Sequence, residues 1–251
     1  MIEASALCKR FGPPRGRWHG AAARSVQAVN GLGFVARDGA ISGLLGANGA
    51  GKTTTLRMLA ALIEPDAGRI AIDGIDAIRE PRRALARIGV LSDARGLYPR
   101  LTARENIVYF GELQGMPREA AAARAEALGQ WLSMQDLLER RAGGFSQGER
   151  MKTALARALV HDPHNLILDE PTNGLDVPST RALREILRRL RAAGKCILFS
   201  SHVMQEVVQL CDHVVLVAAG RDVASGEVGA LLARAGRSDF EDAFVELAYG
   251  S

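Results

Sequence analysis

The feature that most constrains this chain is an eight-residue run, Gly46, Ala47, Asn48, Gly49, Ala50, Gly51, Lys52 and Thr53. It meets the Gly-x-x-x-x-Gly-Lys-Ser/Thr spacing at every fixed position, and it sits between an apolar run, residues 41–45, and a helical pattern over residues 54–62. Glycines at such a turn let the backbone take conformations that a Cβ would block. Successive N–H groups then face inward and form a nest for phosphate oxygens. The helix that opens near Thr53 and Thr54 adds the positive end of its dipole. Lys52 brings a charge for the outer phosphates, and the Thr53 hydroxyl is a ligand for Mg2+. A glycine-rich structural turn would leave the Lys, the Thr and the strand–helix frame without a reason.

The rest of the chain alternates in the manner this loop requires. Strands are predicted at residues 2–8, 32–36, 69–73, 87–91, 166–168, 196–200 and 214–218. Helices are predicted at 179–193 and 203–211. The first of these helices carries Leu183, Ile186, Leu187 and Leu190 at i, i+3, i+4 and i+7, the spacing of one buried stripe. Gly194 is placed to end it, and Gly220 to turn the chain. Alternation of this kind predicts a mostly parallel sheet with helices on its faces. Residues 95–160 break the alternation; they are rich in Ala, Arg and Glu and read as an inserted helical subdomain. The chain is thus expected to be one domain, with a core of residues 1–94 and 161–251. Residues 12–25, rich in Gly, Pro and Arg, read as a loop or insertion. Ser238 and Glu241 are spaced as a capping box for a last helix.

Composition narrows the partners. The formal net charge is only +4, and the 32 Lys and Arg are spread over helical stretches, which reads as solvated faces rather than a nucleic-acid surface. No apolar run approaches the roughly 18–20 residues that span a bilayer, and the N-terminus has no signal pattern. A cytoplasmic chain is expected, without direct membrane insertion, that reaches a membrane only through a partner. Cys8, Cys196 and Cys211 are far apart, form no Cys-x-x-Cys pair, and read as buried thiols. Cys211 and His213 alone are too few for a metal site.

A second constellation lies downstream. Asn165, Leu166, Ile167, Leu168, Asp169 and Glu170 form an apolar strand that ends in two carboxylates. Strands of a parallel sheet bring their C-terminal ends beside the phosphate loop. Asp169 can therefore hold Mg2+ through its water shell, and Glu170 can polarise an attacking water.

The discriminating stretch is Phe145, Ser146, Gln147, Gly148 and Glu149. It resembles the LSGGQ segment of ABC transporter ATPases; Ser146 and Gly148 fit, while Phe145, Gln147 and Glu149 depart. Helical character follows over residues 151–160. Further matches come in the family's order. Gly174, Leu175 and Asp176 resemble the D-loop, Ser200, Ser201 and His202 resemble the switch histidine, and Phe11 matches the aromatic residue that stacks on adenine. The resemblance implies a P-loop NTPase core of α/β class, with an N-terminal antiparallel β region and the helical insertion. It implies ATP as the nucleotide and a homodimer formed on ATP binding. In that dimer Ser146 and Gly148 of one copy meet the γ-phosphate held by the other, and Asp176 crosses the interface. Lys52, Glu170 and His202 are the implied catalytic residues. Asp93 stands where the family usually has Gln, and is carried as a ligand for Mg2+ or a water. Residues 92–106 and 145–163 resemble the sodium-export (NatA-type) branch, whose ATPases pair with ABC-2-type membrane permeases on the cytoplasmic face of the inner membrane. The alternative is a non-transport ABC ATPase acting on nucleic acid or the ribosome. Such proteins usually carry tandem cassettes or a long coiled coil, and this chain has one phosphate loop and no long heptad run.

Overall fold

The computed structural model describes residues 1–12, 25–92 and 96–250. Two sheets organise it. The first is antiparallel and four-stranded, built from β1 (Ile2–Phe11), β2 (Val26–Ala36), β4 (Ala67–Ile72) and β5 (Ile75–Asp76) in the order β2-β1-β4-β5. The second has six strands, with β3 (Ile41–Leu45), β6 (Ile88–Leu91), β7 (Asn165–Asp169), β8 (Cys196–Ser201), β9 (His213–Ala218) and β10 (Arg221–Gly226) in the order β10-β9-β3-β8-β7-β6. Five of its six strands run parallel; β10 returns antiparallel to β9.

The central strands are apolar on both faces because both faces are covered. Every residue of β3 and of β8 is buried. Alternate side chains go to different cores. Ile41 and Leu45, Leu166 and Leu168, Ile197 and Phe199 join a cluster shared with the helices of the insertion. Leu44, Ile167 and Leu198 join a second cluster that also takes Ile2, Leu7, Val29 and Ile70 of the antiparallel sheet. Between the two sheets lies α1 (Lys52–Leu59), which buries Leu56, Met58 and Leu59 in that second cluster.

A short helix α2 (Pro81–Leu85) precedes β6. Then come α3 (Ala103–Leu113), α4 (Arg118–Trp131) and α5 (Gln147–Leu159), with two 3-10 turns between the last two. Thr102 and Glu105 form a reciprocal capping box that starts α3. Gly111 lets α3 approach α4, since a Cβ there would lie 2.7 Å from that of Ala121. Arg157, buried on α5, donates to the Gly96 carbonyl at 2.5 Å and lies 4.3 Å from the Phe110 ring centroid. It thereby ties α5 to the segment after β6. Helices α6 (Val177–Ala192), α7 (Met204–Leu210), α8 (Val228–Ala235) and α9 (Phe240–Tyr249) complete the chain. No helix among the described residues is long and apolar enough to cross a membrane.

Most sequence expectations shift only at their ends. The first strands are longer than expected, Ile2–Phe11 and Val26–Ala36, because they pair antiparallel from Ile2 with Ala36 to Phe11 with Val26, across three shifts of register. Gly12 and Ser25 close the described part of this hairpin, and residues 13–24 of the expected loop lie outside the described residues. The helix after the phosphate loop spans Lys52–Leu59 rather than 54–62. The last helix is capped by Asp239, not by Ser238 with Glu241: its carboxylate accepts from the N–H groups of Glu241 at 2.8 Å and Asp242 at 3.2 Å, two bonds to an anion where serine would make one. All three cysteines are free, but only Cys196 is fully buried. Burial pushes its thiol up to about 11. Cys8 is partly exposed because the strand alternation that buries Leu7 turns its neighbour to the other face.

Candidate functional site

The phosphate loop leaves the C-terminal end of β3 in the middle of the parallel sheet, where the ends of β7 and β8 also open. Gly49 has a left-handed φ of +81° with open space around it, whereas Gly46 and Gly51 are set by close packing. A Cβ on Gly46 would lie 2.3 Å from the Val217 carbonyl oxygen. Gly51 has φ +106°, and a Cβ there would meet the Ala28 carbonyl oxygen at 2.4 Å. Gly51 is also the N-cap of α1, so no side chain caps that helix and its first N–H groups have no side-chain acceptor.

Lys52 is only 6% exposed. Its Nζ donates to the carbonyls of Gly46 at 2.6 Å and Ala47 at 3.3 Å. The nearest carboxylate, Glu170, is 3.6 Å away. A buried ammonium held mainly by carbonyls is a strong place for an added anion. Around it opens a cavity of about 460 Å³. Ten of the predicted residues line it, namely Phe11, Asn48, Gly49, Ala50, Gly51, Lys52, Thr53, Thr54, Glu170 and His202. Phe11, 45% exposed, stands at its edge opposite Val26, its cross-strand partner. Gly46 is held behind the cavity as an acceptor for Lys52.

Hydroxyls fix the Asp169 carboxylate and the Glu170 backbone. Thr53 Oγ1 donates to Asp169 Oδ1 at 3.3 Å, and Ser200 Oγ donates to the same oxygen at 2.6 Å. Glu170 adopts the left-handed region, φ +46°, and its N–H donates to Ser200 Oγ at 3.0 Å. His202 Nδ1 is 2.9 Å from Glu170 Oε2. An ionised carboxylate only accepts, so this contact is a hydrogen bond when Nδ1 carries the ring proton. Behind His202, buried Glu206 accepts from Thr172 Oγ1 at 2.5 Å and Ser201 Oγ at 3.3 Å, linking the segment after Glu170 to the histidine turn. The Thr53 hydroxyl and Asp169 carboxylate offer hard oxygen donors side by side, which suits Mg2+.

Gly46 and Asp169 flank this cavity without lining it, through their bonds to Lys52 and Thr53, and three predicted residues lie away from it. Ser146 is the N-cap of α5; its Oγ accepts from the Glu149 N–H at 3.2 Å, and its N–H donates to Glu149 Oε2 at 2.7 Å. That reciprocal cap starts α5 four residues before the expected 151. It also holds the Glu149 carboxyl below the usual range, the Ser146 N–H being the main cause and Arg140 a further one. Gly148 packs against the start of α6, where a Cβ would lie 2.5 Å from Ser179 Oγ. Asp176 is the N-cap of α6, accepting from the Ser179 N–H at 2.8 Å. These three therefore gather at the paired starts of α5 and α6. Asp93 lies outside the described residues.

Sequence reasoning named Ser200 only as part of the histidine motif, with no role of its own, and missed Glu206, Val26, Gln27, Ala28 and Asn173; the last four line the cavity. A hydroxyl at the end of an otherwise apolar strand was the available signal for Ser200. Gln27 and Ala28 carried none, since they reach the cavity only through the hairpin.

A glycine nest, an uncapped helix start and a buried lysine converge at the carboxyl ends of parallel strands, and this places the molecule among the P-loop nucleotide-binding proteins. Residues 29–173 match the family model described as ABC transporter. The ABC transporter ATP-binding protein NatA of Bacillus subtilis is 47% identical over 207 residues, 82% of this chain and 84% of that protein. The Nod factor export ATP-binding protein I of Burkholderia lata is 43% identical over 204 residues, 81% of this chain and 67% of that protein. A solved ATP binding subunit of an ABC transporter superposes with a TM-score of 0.82 at 27% identity, over 98% of both chains. The chain belongs to the ABC transporter family, as one of its ATP-binding cassettes, and is an ATPase.

Proposed function

We propose that the chain drives export by closing as a homodimer around two ATP on a separate ABC-2-type membrane permease. The observation that carries this reading is the one-sidedness of the site. Ser146, Gly148 and Asp176 lie outside the cavity that Lys52 and the glycine loop line. A second copy would supply them, so that each nucleotide sits between residues 46–54 of one chain and residues 146–148 of the other. Phe11 stacks on the adenine at the cavity edge. Lys52 neutralises the outer phosphates. Glu170, held by His202, orients and polarises the attacking water. His202 also presents its ring edge to the γ-phosphate. Thr53 and Asp169 would hold Mg2+, which when bound neutralises charge across the β- and γ-phosphates; Asp93 is carried as a further ligand on the strength of the resemblance alone. Hydrolysis removes the group that bridges the halves and lets them part.

Residues 95–160 form the subdomain that meets the permease and passes the motion on. The chain accordingly sits on the cytoplasmic face of the inner membrane through that partner. The likeness to NatA and to a Nod factor export protein supports export over import. Within that reading the NatA-type branch makes sodium the first cargo to test.

Glu170→Gln tests the assignment. The variant should bind ATP like the parent, lose about a hundredfold to ten-thousandfold in turnover, and accumulate as a nucleotide-loaded dimer in size-exclusion chromatography. Turnover at the parent rate would remove Glu170 from the chemistry, and a loaded variant that stays single would remove the dimer.

A further inference from the structure

We propose that Ser200 is a positioning residue for ATP hydrolysis, orienting the carboxylate of Asp169 and the backbone of Glu170 with one hydroxyl. The proposal rests on the roles given above to Asp169 and Glu170. Ser200 lies near the end of β8, directly opposite Asp169 in the parallel register, and is fully buried. The residues before it on the strand are Cys196, Ile197, Leu198 and Phe199, all buried and apolar. A polar side chain in such a row is costly unless both its hydrogen-bonding directions are satisfied.

Here both are. A hydroxyl has one proton and two lone pairs. The proton goes to Asp169 Oδ1, 2.6 Å away. A lone pair takes the Glu170 N–H at 3.0 Å. The first bond has a geometric consequence. Oδ1 receives Ser200 and, at the longer distance of 3.3 Å, Thr53. Oδ2 has no hydrogen-bond donor among the described residues. Ser200 thus turns the carboxylate so that one oxygen is tied to the sheet and the other is open to a cation's water shell. The second bond acts on the chain turn. Glu170 has φ +46°, a region that non-glycine residues rarely occupy without support. Anchoring its N–H to Ser200 holds the turn that sends the Glu170 side chain towards Lys52 and His202. A single buried hydroxyl therefore couples the metal-facing group to the water-facing group.

The test uses the purified full chain with Ser200→Ala and Ser200→Thr. Nucleotide affinity is titrated in EDTA and in Mg2+, and hydrolysis is followed as a function of Mg2+ concentration. In EDTA, Ser200→Ala should bind ATP within about twofold of the parent, because the glycine nest and Lys52 are untouched. Its half-saturating Mg2+ should rise about tenfold and its kcat fall about tenfold to a hundredfold, the usual effect of losing a group that orients a metal ligand. Ser200→Thr, which keeps the hydroxyl, should restore both. Should the alanine variant fail to fold, Ser200→Cys fills the site with a weak donor and should move the same two readouts in the same direction. An unchanged Mg2+ requirement in a folded Ser200→Ala overturns the proposal. So does equal weakening in EDTA and in Mg2+, which marks a merely structural hydroxyl. Glu170→Gln is run alongside. Parental turnover in that variant defeats the underlying reading, whereas an inactive Glu170→Gln beside a Ser200→Ala of unchanged Mg2+ requirement defeats only the present proposal.

Discussion

The starts of α1 and α5 look alike in purpose and differ in what fills them. At α1 the N-cap is Gly51, and no side chain reaches the first N–H groups. At α5 the N-cap is Ser146, and a reciprocal box with Glu149 already satisfies both partners. The first start is backed by a buried ammonium that leans on carbonyls. The second is solvent-facing and backed by the Arg140–Glu149 pair, 2.6 Å across. An uncapped helix end beside a buried cation is an anion site before any anion arrives. A capped end is stable alone and must share its cap when a phosphate approaches. The two halves of the proposed sandwich are thus built for different moments, one to capture nucleotide and the other to respond to it.

The largest effect that would break this contrast is at the nest. Gly51→Ala places a Cβ 2.4 Å from the Ala28 carbonyl at φ +106°. Strain and overpacking together should cost about 3 kcal/mol of stability and about a hundredfold in nucleotide affinity, read by denaturant melts and nucleotide titration. Parental affinity would mean that the nest is not the grip. Ser146→Arg comes next and should separate the halves. Nucleotide binding by the single chain should stay within about twofold, while turnover falls at least about a hundredfold because a donor to the developing charge is lost. Loss of binding in that variant would erase the distinction between capture and response.

The smallest effect sharpens the picture of the cap. Glu149→Ala should destabilise the fold by about 1 kcal/mol. The Glu149 carboxyl is held below its ordinary range by the Ser146 N–H, so its contribution is complete above the ordinary glutamate pKa and fades as pH falls through the lowered one. The parent should therefore lose this increment on acidification while Glu149→Ala, lacking it throughout, shows a flatter acid limb. Parallel pH–stability curves for the two proteins would remove Glu149 from the cap's energetics.

Much of this was legible in the chain itself. Residues 46–53 announce a phosphate nest, since only glycine tolerates the approach to Ala28 and Val217 that the turn needs. The apolar runs of β3, β7 and β8 announce a doubly covered parallel sheet. The departure from LSGGQ at Glu149 was legible as a mismatch, and it became intelligible once the box with Ser146 was seen. The cap of α9 was misread because Ser238 and Asp239 are neighbours, and only the backbone turn decides which side chain faces the helix start.

By itself the sequence determined the loop, the strand–helix order and the identity of the charged groups, because local spacing and periodicity carry that information. Tertiary structure alone decided that β3, β7 and β8 end side by side, and that Ser200 lies opposite Asp169. It also decided that Ser146, Gly148 and Asp176 gather at the paired starts of α5 and α6, where a Cβ on Gly148 would lie 2.5 Å from Ser179 Oγ. The physical reason is that a parallel crossover joins strands far apart in sequence, so which hydroxyl meets which carboxylate depends on register between strands, and no local pattern records it.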